Sequence, residues 1–210
     1  MLNLERVSFR YPKSEVNVIN DLSCEFRPGE WVAVTGRNGC GKTTLVKLIT
    51  GVLRPTEGRI TLDGEDLSGL DLFGIGQRVG CVFQDPSRQL FCRSVREEIS
   101  YGLRNLGLEE GEIQERVERH LALFGLEEQA DSFPGNLSQG EQQRVVLAAV
   151  MALGTRYLLL DEPTSSLDMP TRQRLGQSLE KLVESGCGVI VISHERAFIQ
   201  RWAQRELVLS

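Results

Sequence analysis

Nine consecutive residues, Gly36-Arg37-Asn38-Gly39-Cys40-Gly41-Lys42-Thr43-Thr44, carry the types that could hold a triphosphate. They fit the pattern G-x-x-x-x-G-K-[ST], with Gly36, Gly41, Lys42 and Thr43 at its defining positions. Glycines let the backbone turn tightly and bring its N–H groups close to an anion. The loop then feeds a helix N-terminus, which offers unpaired N–H donors and a partial positive charge. Lys42 adds an ammonium for the β- and γ-phosphates, and Thr43 a hydroxyl for Mg²⁺. The expectation is a nucleotide site bound by all nine residues.

Two further stretches carry chemistry. Leu158-Leu159-Leu160-Asp161-Glu162 is an apolar run ending in two carboxylates. In phosphate-loop proteins an Asp at such a strand end helps hold Mg²⁺. Glu162, one residue on, points differently and could orient or deprotonate a water. Leu137-Ser138-Gln139-Gly140-Glu141 precedes an apolar helix and reads in two ways. Ser138 with Glu141 is a capping box that explains the helix start without a ligand. Equally, the segment is a second helix N-terminus that could meet a phosphate on another subunit. The residues alone leave both open.

These groups need elements to position them. Trp31 to Val34 is a short apolar run, a buried strand leading into the loop. After the loop, Leu45, Val46, Leu48, Ile49, Val52 and Leu53 recur at helical spacing. Between residues 2 and 30, apolar and polar residues alternate, as in antiparallel strands with one solvated face. Tyr11-Pro12 and Arg27-Pro28-Gly29-Glu30 punctuate them as turns. Arg59 to Leu62 and Val79 to Phe83 read as strands. From about 87 to 136 the pattern turns helical, with Ile113, Val117, Leu121 and Phe124 on one face. Leu137 to Leu153 becomes almost wholly apolar, as a buried helix does. Tyr157 to Leu160 and Val189 to Ile192 are buried strands, the second ending at Ser193-His194. Leu175, Leu179, Leu182 and Val183 mark another helix, and Glu206 to Leu209 a last strand. The alternation predicts an α/β fold: a phosphate-loop NTPase core with a mostly parallel sheet and helices on both faces. An N-terminal antiparallel β-subdomain precedes it, and a helical subdomain is inserted at about 87–145, within one domain over 1–210.

Composition narrows the classes. A 210-residue chain of net charge −5 has the size of one domain and no basic footprint, so no nucleic-acid partner is expected. No apolar run is long enough to span a bilayer, and no signal peptide is expected from the first residues. Any link to a membrane is therefore expected to run through a partner protein. The five cysteines are odd in number and dispersed, which suits reduced thiols rather than a disulfide frame or zinc site. Cys40 lies beside helix N–H groups and Lys42, so thiol reagents are expected to inhibit.

Taken together, the motifs resemble those of the ATP-binding cassette (ABC) ATPases, in that family's order and over nearly the whole chain. Tyr11 sits where the family has its adenine-stacking aromatic, and Gln84 where it has the Q-loop. Ser138-Gln139-Gly140-Glu141 is similar to the signature usually written LSGGQ. Asp161-Glu162 matches the Walker B pair, Ser166-Leu167-Asp168 resembles the D-loop, and His194 matches the switch histidine. The resemblance implies ATP and Mg²⁺ as ligands, the metal held by Thr43, Gln84 and Asp161. It implies Glu162, His194, Lys42 and Gln84 as catalytic groups, with Glu162 as base or water-polarising residue. It also implies a dimer, homo- or heteromeric, in which Ser138 and Gly140 serve the partner subunit's ATP and Asp168 helps join the two sites. Gln139 and Glu141 depart from the usual signature. The run Asp85-Pro86-Ser87-Arg88-Gln89-Leu90-Phe91 is similar, more narrowly, to the ATPases of energy-coupling factor transporters, which import vitamins, cobalt or nickel. That implies a peripheral subunit on the cytoplasmic face of the membrane, bound to integral transporter subunits. The alternatives are the ATPase of another ABC importer or exporter, or an ABC ATPase acting on nucleic acid.

Overall fold

The computed structural model describes residues 1–12 and 14–209. Strands β1 (Leu2–Phe9) and β2 (Ile19–Phe26) pair antiparallel, Leu2 opposite Phe26 and Phe9 opposite Ile19. β3 (Trp31–Gly36) runs into the phosphate-loop stretch and then helix α1 (Lys42–Ile49). β4 (Glu57–Leu62) returns to pair antiparallel with β1, and the short β5 (Glu65–Asp66) follows it. These make a four-stranded sheet of order β2-β1-β4-β5.

Helix α2 (Leu72–Gly76) precedes β6 (Val79–Val82). The chain is then helical: a 3-10 turn at Pro86–Gln89, α3 (Val95–Asn105), α4 (Glu110–Phe124) and α5 (Gln139–Ala152). β7 (Tyr157–Asp161), α6 (Met169–Glu184), β8 (Gly188–Ile192), α7 (Arg196–Trp202) and β9 (Arg205–Leu209) complete the described fold. A second, five-stranded sheet has the order β6-β7-β8-β3-β9, every pairing parallel.

The apolar runs follow from where this parallel sheet sits. On one face Val32, Val34, Leu159, Ile190 and Ile192 pack with α1 and the antiparallel sheet. On the other, Trp31, Leu158, Leu160, Val189 and Val191 pack with α3 to α6. Strands covered on both faces need apolar side chains at every position, so their alternation disappears. Each such side chain contributes roughly 1.5–3 kcal/mol on burial. Because the strands are parallel, their C-terminal ends share one edge. The residues after β3, β7 and β8, three adjacent strands, therefore converge there, where ligands bind in open α/β sheets.

One expectation is corrected. Val52 and Leu53 carry on the helical spacing, but α1 ends at Ile49 and Val52 is 55% exposed. The Thr50 hydroxyl donates back to the Val46 carbonyl at 2.9 Å, and the Leu53 N–H donates to the Lys47 carbonyl at 2.9 Å. The chain thus folds over the helix end, and Leu53 joins the core from a loop. Helices α2 and α7 and strand β5 are additions to the elements read from the sequence; all three are short. Among the described residues no helix is long and apolar enough to cross a membrane.

Candidate active site

The loop after β3 and the first turn of α1 form one wall of an open cleft. Gly41 precedes α1 at φ 99°, a left-handed conformation that glycine adopts freely. A Cβ there would lie 2.7 Å from Ile19 Cδ1 and 3.0 Å from the Val18 carbonyl oxygen. No side chain caps α1, so the N–H groups of its first turn are not taken by one. The Lys42 side chain is largely buried, and its ammonium donates to the carbonyls of Gly36 and Arg37, each at 2.9 Å. The Tyr11 and Thr44 hydroxyls lie 3.1 Å apart.

The cleft, about 670 Å³, is lined by Tyr11, Val18, Asn38, Gly39, Gly41, Lys42, Thr43, Thr44, Gln84, Asp161, Glu162, Ser165 and His194. Gly36 and Arg37 line an adjoining hollow that shares Asn38 and His194. Cys40 lines neither; it is half-buried against the core beneath the loop. Ser138 and Gly140 lie outside both. Thus residues from five separated segments meet in one place, and the signature-like segment does not meet them. Ser165 and Val18 are members that the sequence did not single out. Ser165 lies in the turn after β7, its hydroxyl donating to the Glu162 carbonyl at 3.1 Å.

The two carboxylates diverge as their backbone does. Asp161 ends β7 and is 3% exposed; burial pushes its carboxyl up to about 6. The Glu162 charge adds to that rise, while Lys42 and His194 oppose it. Glu162 then takes φ 51°, a left-handed conformation costing roughly 1–2 kcal/mol in a non-glycine residue. Its N–H donates to the Ile192 carbonyl at 2.9 Å, which holds the strained residue against β8. Its Oε1 is buried and has no hydrogen-bond partner among the described residues. The nearest cation-forming group is His194, whose Nε2 lies 3.5 Å away.

This donor set suits Mg²⁺. Thr43 hydroxyl, Gln84 amide oxygen and Asp161 carboxylate are all hard oxygen donors, and Mg²⁺ is usually held by one or two carboxylates plus phosphates and water. Asp161, whose buried charge is unfavourable by itself, is a carboxylate that a cation would relieve. Among the described residues no group of three or more His, Cys, Asp or Glu is placed to hold a metal ion by itself, so an all-protein cage is not built here.

The two readings of Ser138 to Glu141 part company in the structure. Glu141 Oε2 accepts from the Ser138 N–H at 2.9 Å and its hydroxyl at 2.6 Å, and the Glu141 N–H donates to Ser138 Oγ at 3.4 Å. The capping box is formed, and those bonds hold the Glu141 carboxyl below its usual range. Gly140 is required by a close approach: a Cβ would lie 2.8 Å from the Ser166 carbonyl oxygen. The start of α5 therefore packs on the segment leading from Glu162 to Asp168, whose carboxylate caps α6 through the Thr171 N–H at 2.9 Å.

The sequence profile of the ABC transporter family matches residues 19–165. The chain belongs to the ABC transporter family. The cobalt import ATP-binding protein CbiO of Syntrophus aciditrophicus is 40% identical to it over 195 residues, covering 92% of this chain and 70% of that protein. The energy-coupling factor transporter ATP-binding protein EcfA1 of Thermotoga maritima is 41% identical over 198 residues, covering 94% and 74%. Among solved structures, the dimeric post-hydrolysis cassette MJ0796 bound to ADP and Pi superposes with a TM-score of 0.91 at 28% identity, covering 100% of this chain and 94% of that one. CbiO1 from Clostridium perfringens, part of the ABC transporter complex cbiONQ, does so with 0.84 at 30% identity, covering 100% and 84%. This ABC ATPase binds and hydrolyses ATP and is of the energy-coupling factor type.

Proposed function

We propose that this ABC ATPase drives a membrane importer by closing on a second ATPase subunit around ATP. One observation carries the reading: Lys42, Thr43, Gln84, Asp161, Glu162 and His194 line a single cleft, and Ser138 and Gly140 lie outside it. Such a cleft is half of a site, and the signature segment is free to complete another subunit's half. In that arrangement the loop N–H groups and Lys42 bind the β- and γ-phosphates. Tyr11 stacks on adenine. Thr43, Gln84 and Asp161 hold Mg²⁺, which when bound neutralises charge developing on the phosphates.

Glu162 has the features of the water-directing group. It is a carboxylate at the cleft with an acceptor oxygen uncommitted, fixed in place by a strained backbone. It orients or deprotonates the attacking water, and His194 contacts the γ-phosphate as that attack proceeds. The same cleft thereby binds, aligns and stabilises charge without a covalent intermediate.

The route to a membrane partner starts at Gln84. Seven residues later Phe91 is 65% exposed and packs edge-on against Tyr101, 47% exposed, with ring centroids 4.9 Å apart. Two exposed aromatics on the helical layer offer a contact for an integral membrane subunit. The relative named as a cobalt import protein supports a metal ion as cargo, and the resemblance to energy-coupling factor ATPases allows a vitamin or metal ion, selected by the membrane subunits. The chain would then work as a peripheral subunit on the cytoplasmic face.

Phosphate release by wild type and Glu162→Gln, with identification of proteins that co-purify from membranes, tests this. The expected result is ATP turnover lost in the variant and an integral membrane protein bound to both. Equal turnover in the two, or nucleic acid in place of a membrane protein, contradicts it.

A further inference from the structure

His194 has no hydrogen bond to its ring among the described residues, and its side chain is 51% exposed. Its ring has only the Glu162 carboxylate near it, with Oε1 3.5 Å from Nε2, so its backbone neighbours bear on its position as well. Before it, Ser193 is fully buried and accepts from the Glu195 N–H at 3.1 Å. After it, Glu195 occupies the start of α7 but does not cap that helix. Its carboxylate is committed elsewhere: Oε1 lies 2.7 Å from a terminal nitrogen of Arg172.

Arg172 stands in the first turn of α6, just beyond Asp168. Its Nε donates to the Leu167 carbonyl at 2.8 Å while its terminal nitrogen meets Glu195. The planar guanidinium can satisfy two acceptors in fixed relative positions, which a lysine ammonium on a flexible stem does not. Thus one side chain fastens the loop after β7 to the loop after β8. The first of those loops also carries Ser166, whose carbonyl bears on Gly140. Contacts run without a break from the start of α5, through Ser166, Leu167, Arg172 and Glu195, to His194.

We infer that Arg172 is a positioning residue, which through Glu195 sets His194 against the γ-phosphate and transmits to it the placement of the Asp168 segment. This rests on the reading of His194 as the γ-phosphate contact. A pair with side chains about 30% exposed (28% for Arg172, 31% for Glu195) adds little to fold stability. Substituting it should therefore act on the reaction more than on the fold.

The chain has only two histidines, so each ring proton gives an assignable NMR signal. His120 in α4 is half-buried, bonded to the Arg116 carbonyl at 2.7 Å, and serves as the internal control. The experiment compares ATP turnover and histidine ring spectra of the full chain for Arg172→Met, Arg172→Lys, Glu195→Ala and His194→Ala. Arg172→Met and Glu195→Ala are expected to lower kcat about tenfold, with KM for ATP within about twofold. Their His194 signal shifts or broadens and their His120 signal stays. Arg172→Lys, which keeps the charge but not the fork, gives an intermediate kcat. Wild-type kcat with an unmoved His194 signal overturns the inference, and so does an equal disturbance of His120. If Arg172→Met fails to fold, Glu195→Ala is read by the same criteria. Wild-type turnover in His194→Ala would remove the underlying reading. Loss there with wild-type turnover in Arg172→Met would remove only the link.

Discussion

Helix α1 enters through Gly41 at φ 99° with no side-chain cap, whereas α5 enters through Ser138 and Glu141 in a closed capping box. Both are helix N-termini with the same partial charge and the same orphan N–H groups. The first leaves its donors uncapped by any side chain, beside Lys42. The second commits the Ser138 and Glu141 N–H groups internally, a device worth about 1 kcal/mol to the helix, and has no side-chain acceptor on those of Gln139 and Gly140 among the described residues. The difference separates an uncapped end beside a lysine, suited to an anion of its own, from an end that is partly satisfied as folded and has fewer donors to lend. The extra carboxylate of Glu141 sharpens that contrast, since it puts a negative charge where a partner's phosphate would approach.

Breaking the first end should have the largest effect. Lys42→Ala is expected to abolish ATP turnover and ATP-driven closure, lowering turnover by about 10³-fold or more; phosphate release and equilibrium nucleotide binding measure both. Next is Asp161→Asn. Its carboxyl is raised from 3.8 to about 6 by burial first and by Glu162 second. The native state therefore binds this proton more readily than the unfolded one. The contribution is stabilising below about 4 and is lost as pH rises through about 6. A rise of that size sets a ceiling of about 3 kcal/mol, which solvent access from the open cleft reduces to about 1–2 kcal/mol. Asp161→Asn should be more stable than wild type at pH 7 by that amount, equal to it near pH 4, and inactive. Denaturant melts at the two pH values read it.

Smaller effects belong to the second end. Glu141→Gln keeps the reach of the capping residue but removes its charge. It should cost the helix a few tenths of a kcal/mol and strengthen association with a second subunit severalfold in the presence of ATP. Thermal melts and sedimentation separate the two. The smallest effect is expected from Cys40→Ser, since that side chain packs beneath the loop and does not line the cleft. Turnover should change by less than about twofold, while inhibition by thiol reagents, expected of wild type, should disappear.

The two ends also differ in how legible they were. The loop, Asp161 and Glu162 could be read because parallel strands buried on both faces are unbroken apolar runs, and the residue where a run stops lies at the ligand edge; His194 was marked only by its place in the family's series of motifs. Leu53 shows the limit of that logic. Its apolar spacing passes through Thr50, where a side chain-to-backbone bond ends the helix. The start of α5 was ambiguous because a capping box and a phosphate-binding turn use the same residue types. Ser165, Arg172 and Glu195 gave no signal, since their roles depend on loops from different strands meeting in space.

On the proposed function, this chain binds ATP through the start of α1 and lends the start of α5 to another subunit. Titration of ATP into the dilute, monomeric chain tests it most directly. Ser138→Arg should bind ATP with wild-type affinity, within about twofold, while Lys42→Ala binds none measurable. If Ser138→Arg weakens binding as severely as Lys42→Ala, both ends serve one nucleotide in the same chain and the account is wrong.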